Sequence, residues 1–353
     1  MNKAQKPARI REFDVLRAIA IILLLFHHGG IYNYALFGFP LSEISSYVAG
    51  YLLGIFFFIS GYLLVETLSR RTLSEFIRLR FLRIYLPYWV ALILFLVLMG
   101  ESVNKGWMDI LFQALGTQIL VAPRFGFPYL TLWFVGLIII YYLIFGILLK
   151  LIHQKGLFVF AGVMVFLIAA IIRKYLGVIE YRFFWYFSIF FAGVIFSKFN
   201  LLKKLATYRF RYIVETLLFV TSVIFLYPYR HLSDHKVIFT EIMFYDFFIL
   251  SAILLTISLS GWITRRGEVP GFVRKLTYLS FFAYLFHRPI WTLLLRFYTP
   301  QEQFIPVYVM MIGIPLVLFL TYGMQKAYDP IYQILVKRIQ TARITSPQKR
   351  LQN

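Results

Sequence analysis

The stretch Phe13–Gly30, FDVLRAIAIILLLFHHGG, is apolar enough to enter a bilayer and yet carries Asp14, Arg17, His27 and His28. An ionisable side chain inside a membrane span costs about 2.5–3.5 kcal/mol on insertion scales, so its presence marks a site by default. The spacing sharpens the point. Arg17 and His28 are eleven positions apart, which at about 100° per residue is three turns plus roughly 20°. Both side chains therefore leave one face of one helix, roughly 16 Å apart along its axis. His27 points roughly 100° away from His28. Asp14, three residues before Arg17, is placed to pair with it near the helix start. Lys3, Lys6, Arg9 and Arg11 precede the run, as in a signal peptide, but the run ends in HHGG without a small-residue cleavage site. It therefore reads as a retained first helix.

The rest of the chain has the same character. Of 353 residues, 61% are hydrophobic, 20% aromatic and 14% charged, against about 25% charged in a globular domain. Hydropathy divides it into eleven segments, near 14–33, 47–68, 84–100, 108–122, 130–149, 156–172, 183–199, 212–229, 238–260, 277–298 and 305–326. Segment 108–122 is short and interrupted by Gln113, Gly116 and Gln118, so it reads as a re-entrant or interfacial helix. This predicts an all-α polytopic membrane protein: about ten transmembrane helices in one bundle over residues 13–330, between terminal segments 1–12 and 331–353. With that assignment, 26 of the 36 basic residues fall on one side, 8 on the other, and Arg17 and Arg288 lie within the membrane. Such asymmetry predicts a plasma-membrane protein with both termini cytoplasmic. It also assigns the net charge of +21 to topology rather than to nucleic acid.

No cysteine is present, which excludes disulfides, thiolate metal sites and a cysteine nucleophile. There is no P-loop, dinucleotide glycine fingerprint or His-Glu-x-x-His pair, which disfavours ATP-driven, nicotinamide and zinc-protease chemistry. His231, Asp234 and His235 share a loop but make a weak metal signal, and no metal is expected. Two other stretches carry chemistry. FIRLRFLRIYLPYW (76–89) holds Arg78, Arg80 and Arg83, with Arg80 and Arg83 on one helical face; guanidinium forks bind phosphate. YLFHRPIW (284–291) places His287 and Arg288 in mid-span, where Pro289 frees the carbonyl of Leu285. Ser60–Gly61 reads as a close helix contact rather than a nucleophile. Trp133 with Tyr141 and Tyr142 suits packing or substrate stacking.

These stretches together resemble the membrane acyltransferase-3 family of integral-membrane O-acyltransferases. The matching segments are FDVLRAIAIILLLFHH (13–28), FFFISGYLL (56–64), Arg80–Arg83, LTLWFVGLIIIYYL (130–143), FFAGVIF (190–196) and YLFHRPIW, in family order. The chain departs from the family at Ile138, five positions after Trp133, where many members carry an acidic residue. The resemblance implies a ten-helix bundle, acyl-CoA (acetyl-CoA above all) as cytoplasmic co-substrate, and an acceptor hydroxyl on an envelope polysaccharide, glycolipid or small molecule. It makes His28 the essential histidine, Arg17 its partner on the first helix, and Arg80 with Arg83 the second basic motif. Acyl transfer needs a base on the hydroxyl and stabilisation of the oxyanion. The expectation is therefore His28 as general base, with an acyl-histidine as the less favoured variant. Arg17 would orient the donor, Arg80, Arg83 and Arg78 would hold the CoA phosphates, and His287, Arg288, Trp133 and Asp14 would contact acceptor or oxyanion. Two alternatives stay open: a secondary transporter, whose midplane sites also use broken helices and buried charge, and a non-catalytic membrane component of glycan assembly.

Overall fold

A computed structural model describes residues 10–100, 106–232, 238–265 and 267–344, with the side chains of 227–232, 238–239 and 339–344 left undescribed. Residues 1–9, the end of the C-terminal tail and the His231–Asp234–His235 group thus lie outside the described side chains. Every apolar segment of the sequence contains a helix. In chain order the helices are α1 (Arg11–His28), α2 (Ser42–Leu68), α3 (Leu73–Leu98), α4 (Trp107–Leu115), α5 (Gln118–Val121), α6 (Trp133–Leu151) and α7 (Lys155–Leu176). Then follow α8 (Arg182–Lys198), α9 (Leu201–Thr207), α10 (Arg211–Leu232), α11 (Ile238–Thr264), α12 (Gly271–Phe297), α13 (Ile305–Tyr308), a π-helical turn over Val309–Gly313, and α14 (Ile314–Ile344). Among the described residues, six helices are long and apolar enough to cross a membrane, or seven if the bent pair α8–α9 counts as one span. The protein is an all-α membrane protein.

Local chemistry sets the boundaries. The first helix stops at His28, earlier than the hydropathy of residues 14–33 suggests, because Gly29 caps it and Gly30 turns left-handed at φ 90°. Beyond it, Ala35–Leu36 and Phe39–Pro40 form a small hairpin (β1 and β2) turning through Phe37 and Gly38, both at positive φ. Thr72 caps α3 by accepting a hydrogen bond from the backbone N–H of Glu75. The segment 108–122 breaks as its polar residues suggest, at Gly116 (φ 70°). The orphan carbonyls ending α4 are met by three aromatic tips from α3: Tyr85 donates to Leu115, Tyr88 to Gln113 and Trp89 to Ala114.

Glycines let the bundle close. A Cβ on Gly61 of α2 would lie 2.2 Å from the carbonyl oxygen of Phe190, and one on Gly193 of α8 would lie 2.1 Å from that of Phe58. The two backbones touch, which is the close-packing role read for Ser60–Gly61. One heptad away, Gly50 and Gly54 of α2 make the same room for Tyr245 and Ile249 of α11. Between α2, α6 and α8 the core is aromatic, with Phe57 4.8 Å from Phe134 and 4.7 Å from Tyr186, ring centre to ring centre. The outward faces are apolar as well: on α7, Phe160, Val163, Leu167 and Ile171 are exposed at helical spacing, as lipid contact requires. One end of the bundle collects the basic loops. There Arg11 donates to the carbonyl of Gly267, Lys150 to that of Leu68 and Lys198 to that of Ile152. This is the end at which the site opens.

Candidate active site

The stripe on α1 faces α12. At the basic end, the Thr277 hydroxyl of α12 donates to the backbone carbonyl of Asp14, and Arg17 shares a cavity wall with Thr277 and Tyr284. At the other end of the stripe, the His28 ring stacks on that of His287, with centres 5.2 Å apart and planes 12° apart. Arg17 and His28 thus mark the two ends of one helix–helix seam.

An outer chamber of about 460 Å³ is lined by Arg17, Arg70, Arg71, Arg80 and Arg83 against two carboxylates, Asp14 and Glu66. An inner chamber of about 320 Å³ shares Arg17, Leu63, Arg80, Arg83 and Tyr332 with it, so the two adjoin across those side chains. The inner walls become apolar and aromatic, with Phe56, Phe134, Ile138 and Phe282, and end at Tyr284. Ring packing places the two key cations: Arg80 lies 5.0 Å over Tyr142 and 5.3 Å over Phe76, and Arg83 5.8 Å over Tyr332. Asp329, also in this wall, has its carboxylate occupied by the Tyr278 hydroxyl at 2.5 Å and the Gln325 amide at 2.7 Å. Arg78, by contrast, is exposed and lines neither chamber.

One turn beyond Tyr284 lies the imidazole cluster. A guanidinium has donors and no acceptor, so the 3.2 Å contact from Arg288 Nη2 to His28 Nδ1 makes that nitrogen the acceptor and puts the proton of the neutral ring on Nε2. His287 is fixed in the opposite sense. Its Nδ1 donates to the carbonyls of Ala283 and Tyr284, at 3.0 and 2.9 Å, leaving Nε2 as a lone pair. The Ala283 carbonyl sits one turn before His287, and the Pro289 ring cannot satisfy the carbonyl of Leu285 that follows. His27 packs edge-on to both His28 and Tyr32 rather than joining the stack. Trp133, at the start of α6, stacks on Tyr186 under the Arg182 guanidinium, and nearby the Tyr284 hydroxyl donates to the Thr131 carbonyl.

The structure therefore gathers Asp14, Arg17, Arg80 and Arg83 at one opening and His28, His287 and Arg288 at the other end of the same seam. Several participants escaped the sequence. Tyr284 and Trp291 lie one turn either side of His287 in the quoted YLFHRPIW and could have been found by helical spacing. Tyr278, Gln325, Asp329 and Tyr332 carried no signal, since only the packing of α14 on α12 and α3 brings them to the cavity. Asp246, inside α11 and hydrogen-bonded by Ser188, was also passed over.

No characterised protein and no solved structure matches the chain. The family described as an acyltransferase domain, Acyl_transf_3, matches residues 10–324, from the first turn of α1 into α14. That span contains both chambers' arginines, the imidazole cluster and the glycine contacts. The chain belongs to the acyltransferase-3 family of membrane acyltransferases.

Proposed function

We propose that the protein transfers an acyl group, acetyl above all, from cytoplasmic acyl-CoA to a hydroxyl of an envelope polysaccharide, glycolipid or small-molecule acceptor. The observation that carries this reading is the pair of adjoining chambers, one arginine-lined and one largely apolar, the second reaching Tyr284 one helical turn from stacked imidazoles. The outer chamber suits the phosphates of CoA, because Arg80 and Arg83 rest on aromatic rings with their charge available. The inner chamber suits the pantetheine arm and the acyl chain. About ten helices cross the membrane in this reading, including α1 and α12, with the basic end and both termini in the cytoplasm of a plasma-membrane protein.

His28 acts as general base. Its Nδ1 lone pair is covered by Arg288 at rest, so the guanidinium that guards the base is also the nearest cation to the reacting carbonyl. As the hydroxyl oxygen bonds to the acyl carbon, Arg288 turns to the developing oxyanion and frees Nδ1 to take the hydroxyl proton. The C–S bond then breaks, and the proton passes from His28 to the departing CoA thiolate. Arg17, lining both chambers, orients the donor along its pantetheine arm.

The test is detergent-purified protein incubated with labelled acetyl-CoA and a cell-envelope extract. Wild type transfers label to extract components. His28→Ala is expected to abolish transfer, at least about a hundredfold for loss of a general base, while expression and acetyl-CoA binding persist. Normal turnover by that variant removes His28 from the mechanism. Label that crosses the membrane without becoming covalently attached favours a transporter.

A further inference from the structure

A third cavity, of about 540 Å³, lies at the basic end between the ends of α1 and α2 and the helices α9, α10 and α11, away from α3 and α14. It shares only Ile10, Glu66 and Arg70 with the outer chamber, and its other residues have no part in the reaction above. Glu215 of α10 lines it and is buried, at 4% exposure. One oxygen of this carboxylate accepts a hydrogen bond from Ser258 of α11 at 2.9 Å; the other, Oε2, meets no partner among the described residues. Arg211, one turn earlier, does not supply it. Its guanidinium donates instead to the Ala206 carbonyl at 3.4 Å and the Tyr212 hydroxyl at 2.6 Å. A buried carboxylate short of donors is costly and calls for an explanation.

The same cavity carries the opposite charge at Lys203 of α9 and at Arg265 just past α11, both exposed. Glu12, Glu66 and Arg70 complete the charged lining, and Leu202, Leu205, Leu254 and Ile257 supply apolar wall. A ligand that suits this lining carries an N–H cation for Glu215 and an anion for Lys203 and Arg265.

The surroundings point to a bilayer as its source. The short helix α9 turns off the end of α8 by 70°, as a helix lying along a membrane surface does. On α10, Ile213 and Leu217 flank Glu215 and are exposed; on α11, Leu259 and Trp262 follow Ser258 and are exposed as well. Apolar side chains bare at this level suit lipid tails, and tryptophan is favoured at headgroup depth.

We propose that the cavity holds the headgroup of a phosphatidylethanolamine lipid from the leaflet at the basic end, its ammonium donating to Glu215 and its phosphate facing Lys203 and Arg265. An anionic headgroup brings no cation to the buried carboxylate, and a choline headgroup brings charge without an N–H donor. The lipid is a bound companion of the fold and not a substrate, so the inference stands apart from the acyltransferase reading.

The test is native mass spectrometry of the full chain in detergent, titrated with dioleoyl phosphatidylethanolamine, phosphatidylcholine and phosphatidylglycerol. Wild type is expected to bind the first at least about tenfold more tightly than the other two, the scale of a buried charge pair. Glu215→Gln keeps an acceptor for Ser258 and loses the charge; it should lower the affinity for phosphatidylethanolamine to that for phosphatidylcholine. Lys203→Glu, at an exposed position, should lower it several-fold. Equal affinity of wild type for the three lipids overturns the proposal, as does an unchanged preference in Glu215→Gln. If that variant does not fold, Lys203→Glu decides, and an unchanged affinity overturns the proposal. Soluble O-phosphoethanolamine that displaces the lipid at equal concentration gives the cavity to a soluble ligand and overturns the lipid assignment.

Discussion

Arg80 shows how a surface-type residue becomes part of a site. Its guanidinium is laid over Phe76 and Tyr142, aromatic faces that orient it without neutralising it. Bidentate contact with a phosphate needs the planar fork. Arg80→Lys is thus expected to raise the acyl-CoA KM several-fold, and Arg80→Ala about tenfold or more, roughly 1.4 kcal/mol or greater. Steady-state kinetics with varied acetyl-CoA reads this; a KM unchanged in both variants removes Arg80 from the donor site. Single residues were legible to differing degrees. Arg17 and His28 announced themselves because charge in an apolar helix is rare and their spacing is helical. Arg78 looked equivalent to Arg80 by composition, but the turn of α3 carries it away from the opening. Ile138 forms part of the inner wall, which is apolar where the family resemblance leads one to expect an acidic residue.

Helix contacts sort the glycines by what they face. Gly193 and Gly61 meet carbonyl groups of the facing helix, and backbone does not swing aside. Gly193→Ala therefore has to push α2 and α8 apart, at a cost of about 1–3 kcal/mol or more. Thermal unfolding in detergent should show a clear loss for Gly193→Ala. Gly156→Ala, where no atom lies within 4 Å, should leave the transition in place; equal transitions in the two variants contradict the tight α2–α8 contact. Elements were the most legible scale. Long apolar runs became helices, and Gln113, Gly116 and Gln118 announced the break between α4 and α5. What misled was continuity of hydropathy. Ile31 and Tyr32 extended the first segment past Gly29–Gly30, although the backbone had already left the helix and was heading into a hairpin. The π-helical turn before α14 has no sequence period of its own; it packs Gly313 against Trp291 and Met310 against Gly29.

For the molecule as a whole, orientation is the property most open to a direct check, because the chain lacks cysteine. A single cysteine at Phe37, fully exposed at the hairpin tip, should react with a membrane-impermeant maleimide in intact cells. A single cysteine at Arg274, exposed at the basic end, should react after the cells are broken open. The reverse pattern inverts the topology and separates the arginine-rich opening from cytoplasmic CoA. Sequence can state an expectation of sidedness, since loop charge is a local property. It could not assign depth. How far the opening penetrates depends on where α14 settles against α3, through contacts such as Tyr328 with the carbonyl of Leu82, made between residues far apart in the chain.

The Phe134 and Tyr284 rings meet in the wall of the inner chamber on its imidazole side, 4.9 Å between centres. On one side of that septum lie the arginine-lined chambers, and on the other the imidazole cluster toward the opposite end of the bundle. A cell membrane sustains a voltage and a proton gradient, and a passage reaching this far would discharge both if it were continuous. Two aromatic rings thus act as insulation at rest: in the proposed reaction they must part for the acyl group and close again behind it if ions are to stay on their own side.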